Sequence, residues 1–340
     1  MSVRTYLLRR VALLALVLLG VTIVTFLLVR VVPSDVAAIY AGPRARPEQI
    51  AEARHILGLD RPLYVQYGIY VGDLVQGDWG TSLRTRRPVL GDILGFLPYS
   101  LQLVFLSLLL SIVVGVSLGA LSAHKKGGWI DNGTRVLAIG GVSMPAFVLA
   151  VLLQILFFRI LGVLPVSSEL DITVAQAHPV TTITGMTAVD ALITGNFAAF
   201  FNAMEHLILP VLTLAAFSAG VITRMTRSSM LESLGQDYIR MAKAMGVPTR
   251  VIVLRYSLKN AMAPVLTVIG LEFAYLLVGT FFVERIFALP GLGTYATTSM
   301  LSLDYPAIMG ITVLLALFYV FVNLIIDLII AKLDPRVVLS

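Results

Sequence analysis

The uncharged run YSLQLVFLSLLLSIVVGVSLGALSA, from Tyr99 to Ala123, decides the fold class. It contains no Asp, Glu, Lys or Arg, and its polar residues are mainly serines, which a helix tolerates in lipid. The hydrocarbon core of a bilayer is about 30 Å thick, and about 20 apolar residues in a helix span it. The run is therefore predicted to cross a membrane as an α-helix.

The composition of the whole chain agrees with a membrane protein. Of its 340 residues, 58% are hydrophobic and 13% are charged, and the mean hydropathy is +0.92. A soluble domain of this length could not bury so much apolar surface in one core. The chain contains no cysteine, which excludes disulfides, thiolate nucleophiles and cysteine-based metal sites.

Six apolar runs are long enough to be membrane spans. They lie at approximately 9–31, 99–123, 135–161, 207–223, 261–283 and 306–330. The runs lack the alternating pattern of a membrane β-barrel, so their backbone groups must be satisfied inside helices. Arg9 and Arg10 before the first run resemble the basic start of a signal peptide, but the run from Val11 to Val29 is too long for one. We expect an all-α, polytopic membrane bundle of about six helices.

Basic residues set the orientation, because loops on the cytoplasmic side collect Lys and Arg. This bias also accounts for the net charge of +6 without a nucleic-acid partner. The basic residues cluster at the N-terminus, after the second span and after the fourth: Arg4, Arg9, Arg10; Lys125, Lys126, Arg135; Arg224, Arg227, Arg240, Lys243, Arg250, Arg255, Lys259. Both termini and these two loops are therefore predicted to be cytoplasmic. Segment 33–97 also contains arginines, but long translocated segments largely escape the rule.

These assignments divide the chain into three parts. Residues 1–32 comprise the N-terminal tail and the first transmembrane helix, and residues 33–97 form an extracytoplasmic cap segment. Residues 98–340 form the core domain with helices two to six, including a cytoplasmic loop at 224–260. The loop at about 162–206, which contains Pro165, Pro179, Gly185 and Gly195, is predicted to be an irregular outer element.

The stretch Asp237-Tyr238-Ile239-Arg240-Met241-Ala242-Lys243-Ala244-Met245-Gly246 carries the clearest functional signal. Its spacing puts Tyr238, Met241, Ala242 and Met245 on one face of a short helix, and Gly246 is suited to end it. Such a helix could dock in a groove of a cytosolic partner or lie on the lipid surface, and periodicity alone does not separate these alternatives.

A resemblance separates them. The Tyr-x-Arg-x-Ala-x-Ala-x-Gly arrangement at 238–246, continued by Leu254, Arg255, Asn260 and Pro264, resembles the EAA loop of permeases in binding-protein-dependent ABC importers, within the dipeptide, oligopeptide and nickel branch. The similarity extends to Tyr6–Arg10, Leu57–Leu63, Gly77–Ser82, Leu164–Ser167, Val283–Phe287, Pro290–Gly293, Asp304–Pro306 and Leu333–Val337. Two features depart from the family pattern: Asp237-Tyr238 stands where the loop is named for a Glu, and Glu272 stands where a neutral Gln is expected.

The resemblance implies a type I ABC importer permease of the B type in the cytoplasmic (inner) membrane. Its partners would be a second permease, expected to be a different, C-type paralogue, two ATPase subunits or domains, an extracytoplasmic substrate-binding protein and membrane lipid. The chain itself would bind no cofactor, while ATP and Mg²⁺ would be bound by the ATPases. In the family, the EAA loop forms the coupling helix that sits in a cleft of the ATPase. Di- or oligopeptides are the implied substrates, with nickel chelates or another small solute as alternatives.

Two polar residues inside predicted spans are candidates for the translocation path. Glu272 and Gln154 lie in helices five and three, where a buried polar group is costly unless it is paired, protonated or hydrated. The alternative for Glu272 is a hydrogen bond to a neighbouring helix. It could also be the coupling carboxylate of an ion-driven secondary transporter, which is the rival function.

Several enzymatic functions are excluded by motifs that the sequence lacks. No lysine follows a glycine and precedes Ser or Thr, so the chain has no P-loop and must obtain ATP hydrolysis from a partner. A His-Glu-x-x-His motif is also missing. We therefore predict a non-catalytic subunit with no catalytic residues and no metal site.

Overall fold

The structure is a computed structural model that describes residues 3–31, 36–42 and 44–333. Within these ranges the chain is helical apart from connecting loops and a single β-bridge between Thr81 and Pro88. The helices are α1 Val3–Val31, α2 Val36–Ala41, α3 Pro47–Ile56, α4 Leu63–Val75, α5 Val89–His124, α6 Trp129–Ser143, α7 Ala146–Leu153, α8 Ile172–Ala177, α9 Thr187–Ile193, α10 Phe197–Leu234, α11 Asp237–Ala244, α12 Thr249–Val251, α13 Leu258–Ile286, α14 Leu292–Leu301 and α15 Tyr305–Leu333. Helix α7 continues as a π-helix over Gln154–Ile160, and a second π-helix, Ile252–Ser257, joins α12 to α13.

The all-α prediction is confirmed, and most of the predicted spans are present. Among the residues that the structure describes, four helical stretches are long and apolar enough to cross a membrane: Val89–His124, Phe197–Leu234, Thr249–Ile286 and Tyr305–Ile326. In the described part of α1, Ala15–Val29 is a shorter apolar helix. The motif at Leu333–Val337 lies outside the described residues after Leu333.

The third predicted span, 135–161, is a bent pair of helices instead of one straight helix. Trp129–Ser143 and Ala146–Ile160 meet at an angle of 105°, and counting the pair as one span gives five. Pro145 has no N–H to donate and forces Met144 into an extended conformation, with φ −91° and ψ 125°. Ser143, Met144 and Pro145 are exposed at the bend.

The fourth predicted span was expected to be the shortest, at 207–223, but α10 has 38 residues. A hydropathy scan detects only the apolar part of a helix. Helix α10 extends beyond the apolar run 207–223 at both ends. Arg224 and Arg227, which were placed in the cytoplasmic loop 224–260, therefore belong to a helix. The irregular outer loop at 162–206 also contains α8, α9 and the start of α10.

Contacts between Cα atoms divide the chain into two compact units. The core unit contains Pro98–Gly293 and residues 321–333, and the N-terminal unit contains residues 3–97 with Thr294–Val320. In the N-terminal unit, the turn between the bridged Thr81 and Pro88 is held by the buried carboxylate of Asp304. That carboxylate accepts hydrogen bonds from the Ser82 hydroxyl and from the amides of Leu83, Arg84 and Ala307.

In the core unit, glycines bring neighbouring helices close to α10. A Cβ atom added to Gly115 or Gly119 of α5 would lie 2.7 Å from Ile222 or 2.6 Å from Thr226. On α6, a Cβ added to Gly141 would lie 2.5 Å from the carbonyl oxygen of Ala216. Helix α10 is thus packed at backbone distance against two neighbours, as small residues allow between membrane helices.

An ion pair with a buried carboxylate joins the same three helices. Arg227 of α10 donates to both carboxylate oxygens of Asp131 in α6, from Nε at 2.7 Å and from Nη2 at 2.9 Å. The Ser122 hydroxyl near the end of α5 and the Gly127 amide also donate to Asp131, which is 1% exposed. Removal of Arg227 would leave a buried carboxylate without its counter-charge, which is strongly destabilising.

We predict that labelling of single cysteines will report the orientation. The chain has no native cysteine, and both Glu52 in α3 and Lys126 after α5 are exposed. If the basic loops are cytoplasmic, Glu52→Cys will react with an impermeant maleimide in right-side-out vesicles, and Lys126→Cys will react in inside-out vesicles. Both variants should react equally after permeabilisation. The reverse pattern would overturn the orientation.

Two adjacent glycines of α6 provide a test of the helix packing. Gly141→Ala should lower the free energy of unfolding of the detergent-purified chain by about 1–3 kcal/mol, because its methyl group would meet the Ala216 carbonyl. Gly140→Ala is the matched control, since no atom lies within 4 Å of its added Cβ and alanine favours a helix over glycine. Thermal unfolding measures both variants. Equal stability of the two would contradict the packing of α6 against α10.

Candidate functional site

The stretch with the clearest functional signal forms α11, which lies between α10 and α12. Asp237 lies in the first turn and Lys243 in the last, as the helix dipole favours. Gln236 enters the helix from an extended conformation, with φ −74° and ψ 153°. The eight-residue helix is too short to be stable alone, so its packing must hold it in place.

Helix α11 has one buried and one exposed apolar face. Ile239 and Ala242 are 0% and 3% exposed and pack with Ile252, and Leu234 and Val247 pack against this cluster. Tyr238, Met241 and Met245 are 42%, 63% and 65% exposed. The exposed apolar face therefore consists of three of the four predicted residues.

Ala242 belongs to the predicted stripe but is buried, unlike its other three members. The spacing i, i+3, i+4, i+7 describes a stripe, and Ala242 lies at the edge of that stripe nearest to Ile239. Because alanine is small, α11 can approach Ile252 closely at this position. The remaining residues of the stretch, Asp237, Arg240, Lys243 and Ala244, are exposed, and an Arg240 guanidinium nitrogen lies 3.2 Å from the Asp237 carboxylate.

Gly246 ends α11 in the left-handed conformation that the sequence suggested. Its φ is +74°. The Gly246 amide donates to the Lys243 carbonyl, and the Val247 amide donates to the Ala242 carbonyl, both at 3.0 Å. This is the hydrogen-bond pattern of a Schellman motif, and Val247 adds the apolar contact that usually accompanies it.

The two candidate path residues both make hydrogen bonds within the core unit. Glu272 of α13 is 3% exposed, and it accepts a hydrogen bond from the Ser218 hydroxyl of α10 at 2.5 Å. Gln154 donates from Nε2 to the carbonyls of Val166 at 3.1 Å and Ile286 at 3.2 Å. The structure does not bring Glu272 and Gln154 together into one site with α11.

The carboxylate of Glu284 connects two of the motifs noted in the sequence, Val283–Phe287 and Pro290–Gly293. Glu284 is 1% exposed and accepts hydrogen bonds from the Ser100 hydroxyl and the Gly293 amide. A Cβ added to Gly291 would overlap this carboxylate. The Pro290–Gly293 segment therefore needs its glycines to wrap around Glu284. No spacing rule in the sequence could have paired Glu284 with Ser100, which lies 184 positions earlier.

The carboxyl group of Glu169, which lies outside the membrane spans, has a pKa close to neutral pH. Burial raises the pKa of Glu169 to about 7, and the hydrogen bond from Thr187 offsets only part of that increase. Glu169 lines a cavity with Tyr99, Gln102 and Glu284 that has room for about one water molecule, ≈ 10 Å³. The cavity is too small for an organic substrate.

Comparison with known proteins gives matches over nearly the whole chain. Residues 115–339 match the model of a family described as "Binding-protein-dependent transport system inner membrane component", and residues 3–104 match the model of the N-terminal part of such components. The "Probable D,D-dipeptide transport system permease protein DdpB" of Escherichia coli K12 is 46% identical over 95% of this chain and 94% of its own length. The "Dipeptide transport system permease protein DppB" of Alkalihalophilus pseudofirmus is 40% identical over 98% of each chain. A chain of the MetNI methionine ABC transporter, solved in inward-facing conformations, aligns with a TM-score of 0.49 and 18% identity, covering 69% of this chain and 93% of its own.

The Schellman motif leads to a prediction about local stability. Gly246→Val should weaken the end of α11, because a β-branched residue disfavours a positive φ and a left-handed conformation costs about 1–2 kcal/mol. Open space surrounds Gly246, so the effect will come from the backbone. Trypsin should cleave the detergent-purified variant near Lys243 and Arg250 about tenfold faster than the unmodified chain.

Gly246→Asn is the matched control, because asparagine tolerates the left-handed region. It should be cleaved at nearly the original rate. If Gly246→Val were as resistant as Gly246→Asn, the positive φ would not stabilise α11.

Proposed function

Because the chain belongs to the family of binding-protein-dependent transport system inner membrane components, we propose that it is the permease subunit of an ATP-driven importer of dipeptides. The observation that carries this proposal is the near-complete coverage of the chain by relatives that are named dipeptide permeases. In addition, α11 has an exposed apolar face of the kind that a partner can bind.

The names of the relatives support peptides as the substrate class. Relatives at 46%, 40% and 38% identity are described as D,D-dipeptide, dipeptide and di/tripeptide permeases. A glutathione permease of Salmonella, at 38% identity, extends the range to a modified tripeptide. We therefore propose that short peptides cross the membrane beside this chain.

The exposed face of α11 is proposed as the contact with an ATPase subunit. Tyr238, Met241 and Met245 project from a helix whose opposite face is fixed to the membrane domain. Methionine side chains adapt to irregular grooves, and burial of one such side chain contributes about 1.5–3 kcal/mol. Arg240 and Lys243 flank the face and can pair with acidic residues at its rim.

Movement of α11 would be passed to the helices that enclose the transport path. Ile239 and Ala242 pack on Ile252, at the start of the helical run to Ile286, and on Leu234 at the end of α10. Closure of an ATPase pair on bound ATP and Mg²⁺ would displace α11 and bias the bundle between inward-open and outward-open states. ATP binding, Mg²⁺ binding and hydrolysis would all take place on the partner subunits, and this chain would be non-catalytic.

A second permease and a binding protein complete the proposed assembly. The type I arrangement places a sister permease beside this chain, here proposed as a C-type paralogue, with membrane lipid around the pair. Segment 33–97 contributes α2, α3, α4 and the Asp304-anchored turn to the proposed outer face. We propose this segment as part of the surface on which an extracytoplasmic binding protein releases its peptide.

Glu272 and Gln154 have a less direct link to transport. The hydrogen bond from Ser218 supports the helix-to-helix role of Glu272, and the two carbonyl partners of Gln154 give it a similar role. A position on the translocation path stays a prediction for both residues. The same pairing of Glu272 gives the rival function, an ion-coupled secondary transporter, no support beyond the presence of a carboxylate.

Reconstitution tests the function and the coupling surface together. Proteoliposomes that contain this chain, a sister permease and the ATPases should accumulate a labelled dipeptide from its binding protein only when ATP is supplied on the ATPase side. The double variant Met241→Glu/Met245→Glu should reduce ATPase co-purification and uptake by at least tenfold, because it would place two carboxylates in an apolar interface.

Thr249→Glu is the matched control, because it adds a carboxylate at an exposed site outside α11. It should keep both uptake and co-purification. Uptake that is driven by a proton or sodium gradient without ATP would refute the importer and establish the rival. Full ATPase binding by the double variant would remove α11 as the docking site.

A further inference from the structure

Tyr238 has its ring and its hydroxyl in different environments. The side chain is 42% exposed and contributes to the outer face of α11. Its hydroxyl lies at the other end of the ring, 2.6 Å from the Ser233 hydroxyl and 3.0 Å from the side-chain amide nitrogen of Asn260. Ser233 is in the last turn of α10, and Asn260 is in the first turn of α13. One oxygen atom thus connects three helices.

The chemistry of the neighbours fixes the direction of the hydrogen bond between Asn260 and Tyr238. Asn260 Nδ2 also lies 2.9 Å from the carbonyl oxygen of Tyr256, which can only accept. The amide group of Asn260 is therefore oriented with its two N–H donors toward Tyr256 and Tyr238. Since the Tyr238 oxygen accepts from Asn260, its own proton is free to be donated to Ser233.

These bonds differ in kind from the other contacts of α11. Ile239 and Ala242 hold the helix by apolar packing, which is not directional. The bonds of the Tyr238 hydroxyl require a narrow range of distances and angles. Throughout α11, Tyr238 supplies the side-chain hydrogen bonds to α10 and α13, whereas the Arg240 contact with Asp237 stays within the helix. The hydroxyl therefore adds a directional restraint to the apolar packing of α11.

We propose that the Tyr238 hydroxyl is a positioning group that makes α11, the end of α10 and the start of α13 move as one body. The proposal rests on the proposed function, since it concerns how displacement of α11 reaches the membrane helices. A partner bound over the exposed ring would exclude water from the hydroxyl and strengthen its hydrogen bonds. The junction would then be firmest when the ATPase is docked.

The test uses the reconstituted importer and measures peptide transported per ATP hydrolysed. Tyr238→Phe keeps the ring and deletes the hydroxyl, and Asn260→Ala deletes the donor from outside the docking face. Each should lower the transport ratio about fivefold, the effect of losing one hydrogen bond of ordinary strength. Tyr238→Phe/Asn260→Ala should fall no further than the single variants, because both changes break the same link.

Tyr275→Phe is the matched control, since Tyr275 is an exposed tyrosine of α13 at 65% exposure, and it should keep the original ratio. A wild-type complex that fails to import dipeptide with ATP would refute the proposed function. A working wild type with an unchanged ratio in Tyr238→Phe would overturn the junction alone. Loss of ATPase co-purification in Asn260→Ala would also overturn it, because the link would then serve assembly instead of transmission.

Discussion

The structure of the core unit depends on how closely other helices can approach α10. In hydrocarbon, apolar side chains gain little by leaving lipid for one another, so helix association depends on close contact and on polar links. Gly115, Gly119 and Gly141 remove the side chains that would hold α5 and α6 away. The ion pair of Arg227 with Asp131 then fixes the rotation of α10, because a bidentate pair accepts one orientation. The position of the last turn of α10, and with it that of α11, follows from these contacts.

Four of the buried carboxylates share one kind of side-chain donor. Asp131, Glu272, Glu284 and Asp304 are each at most 3% exposed, and each accepts a hydrogen bond from a serine hydroxyl. Asp131, Glu284 and Asp304 also accept bonds from backbone amides. A serine hydroxyl destabilises a membrane helix only slightly even when no carboxylate accepts its hydrogen bond. Serine can therefore supply a donor at any depth of the bundle where a carboxylate is buried. The polar residues in this apolar chain therefore act mainly as links between segments that are distant in sequence.

The sequence predicts local features of this molecule better than contacts between distant segments. The apolar runs, the helix at 237–244 and the left-handed Gly246 all depend on neighbouring residues, and the structure contains each of them. Ala242 lies on the predicted stripe but is buried, because the edge of a periodic stripe can be covered by neighbouring side chains. The length of α10 was underestimated because hydropathy reports suitability for lipid and not helix formation. The Ser218–Glu272 and Ser100–Glu284 pairs link residues 54 and 184 positions apart, and a single sequence holds no signal for such pairs.

The bend between α6 and α7 determines what can surround this chain. At Ser143, Met144 and Pro145 the helical hydrogen bonds are interrupted, and these residues are exposed on the single chain. Acyl chains offer no hydrogen-bond partners, so interrupted backbone at membrane depth is stable only beside protein or water. A bend placed within the hydrocarbon would therefore need protein or water beside it instead of acyl chains. In an assembly, a neighbouring protein could cover that surface, whereas an isolated copy of the chain in a bilayer would need water there.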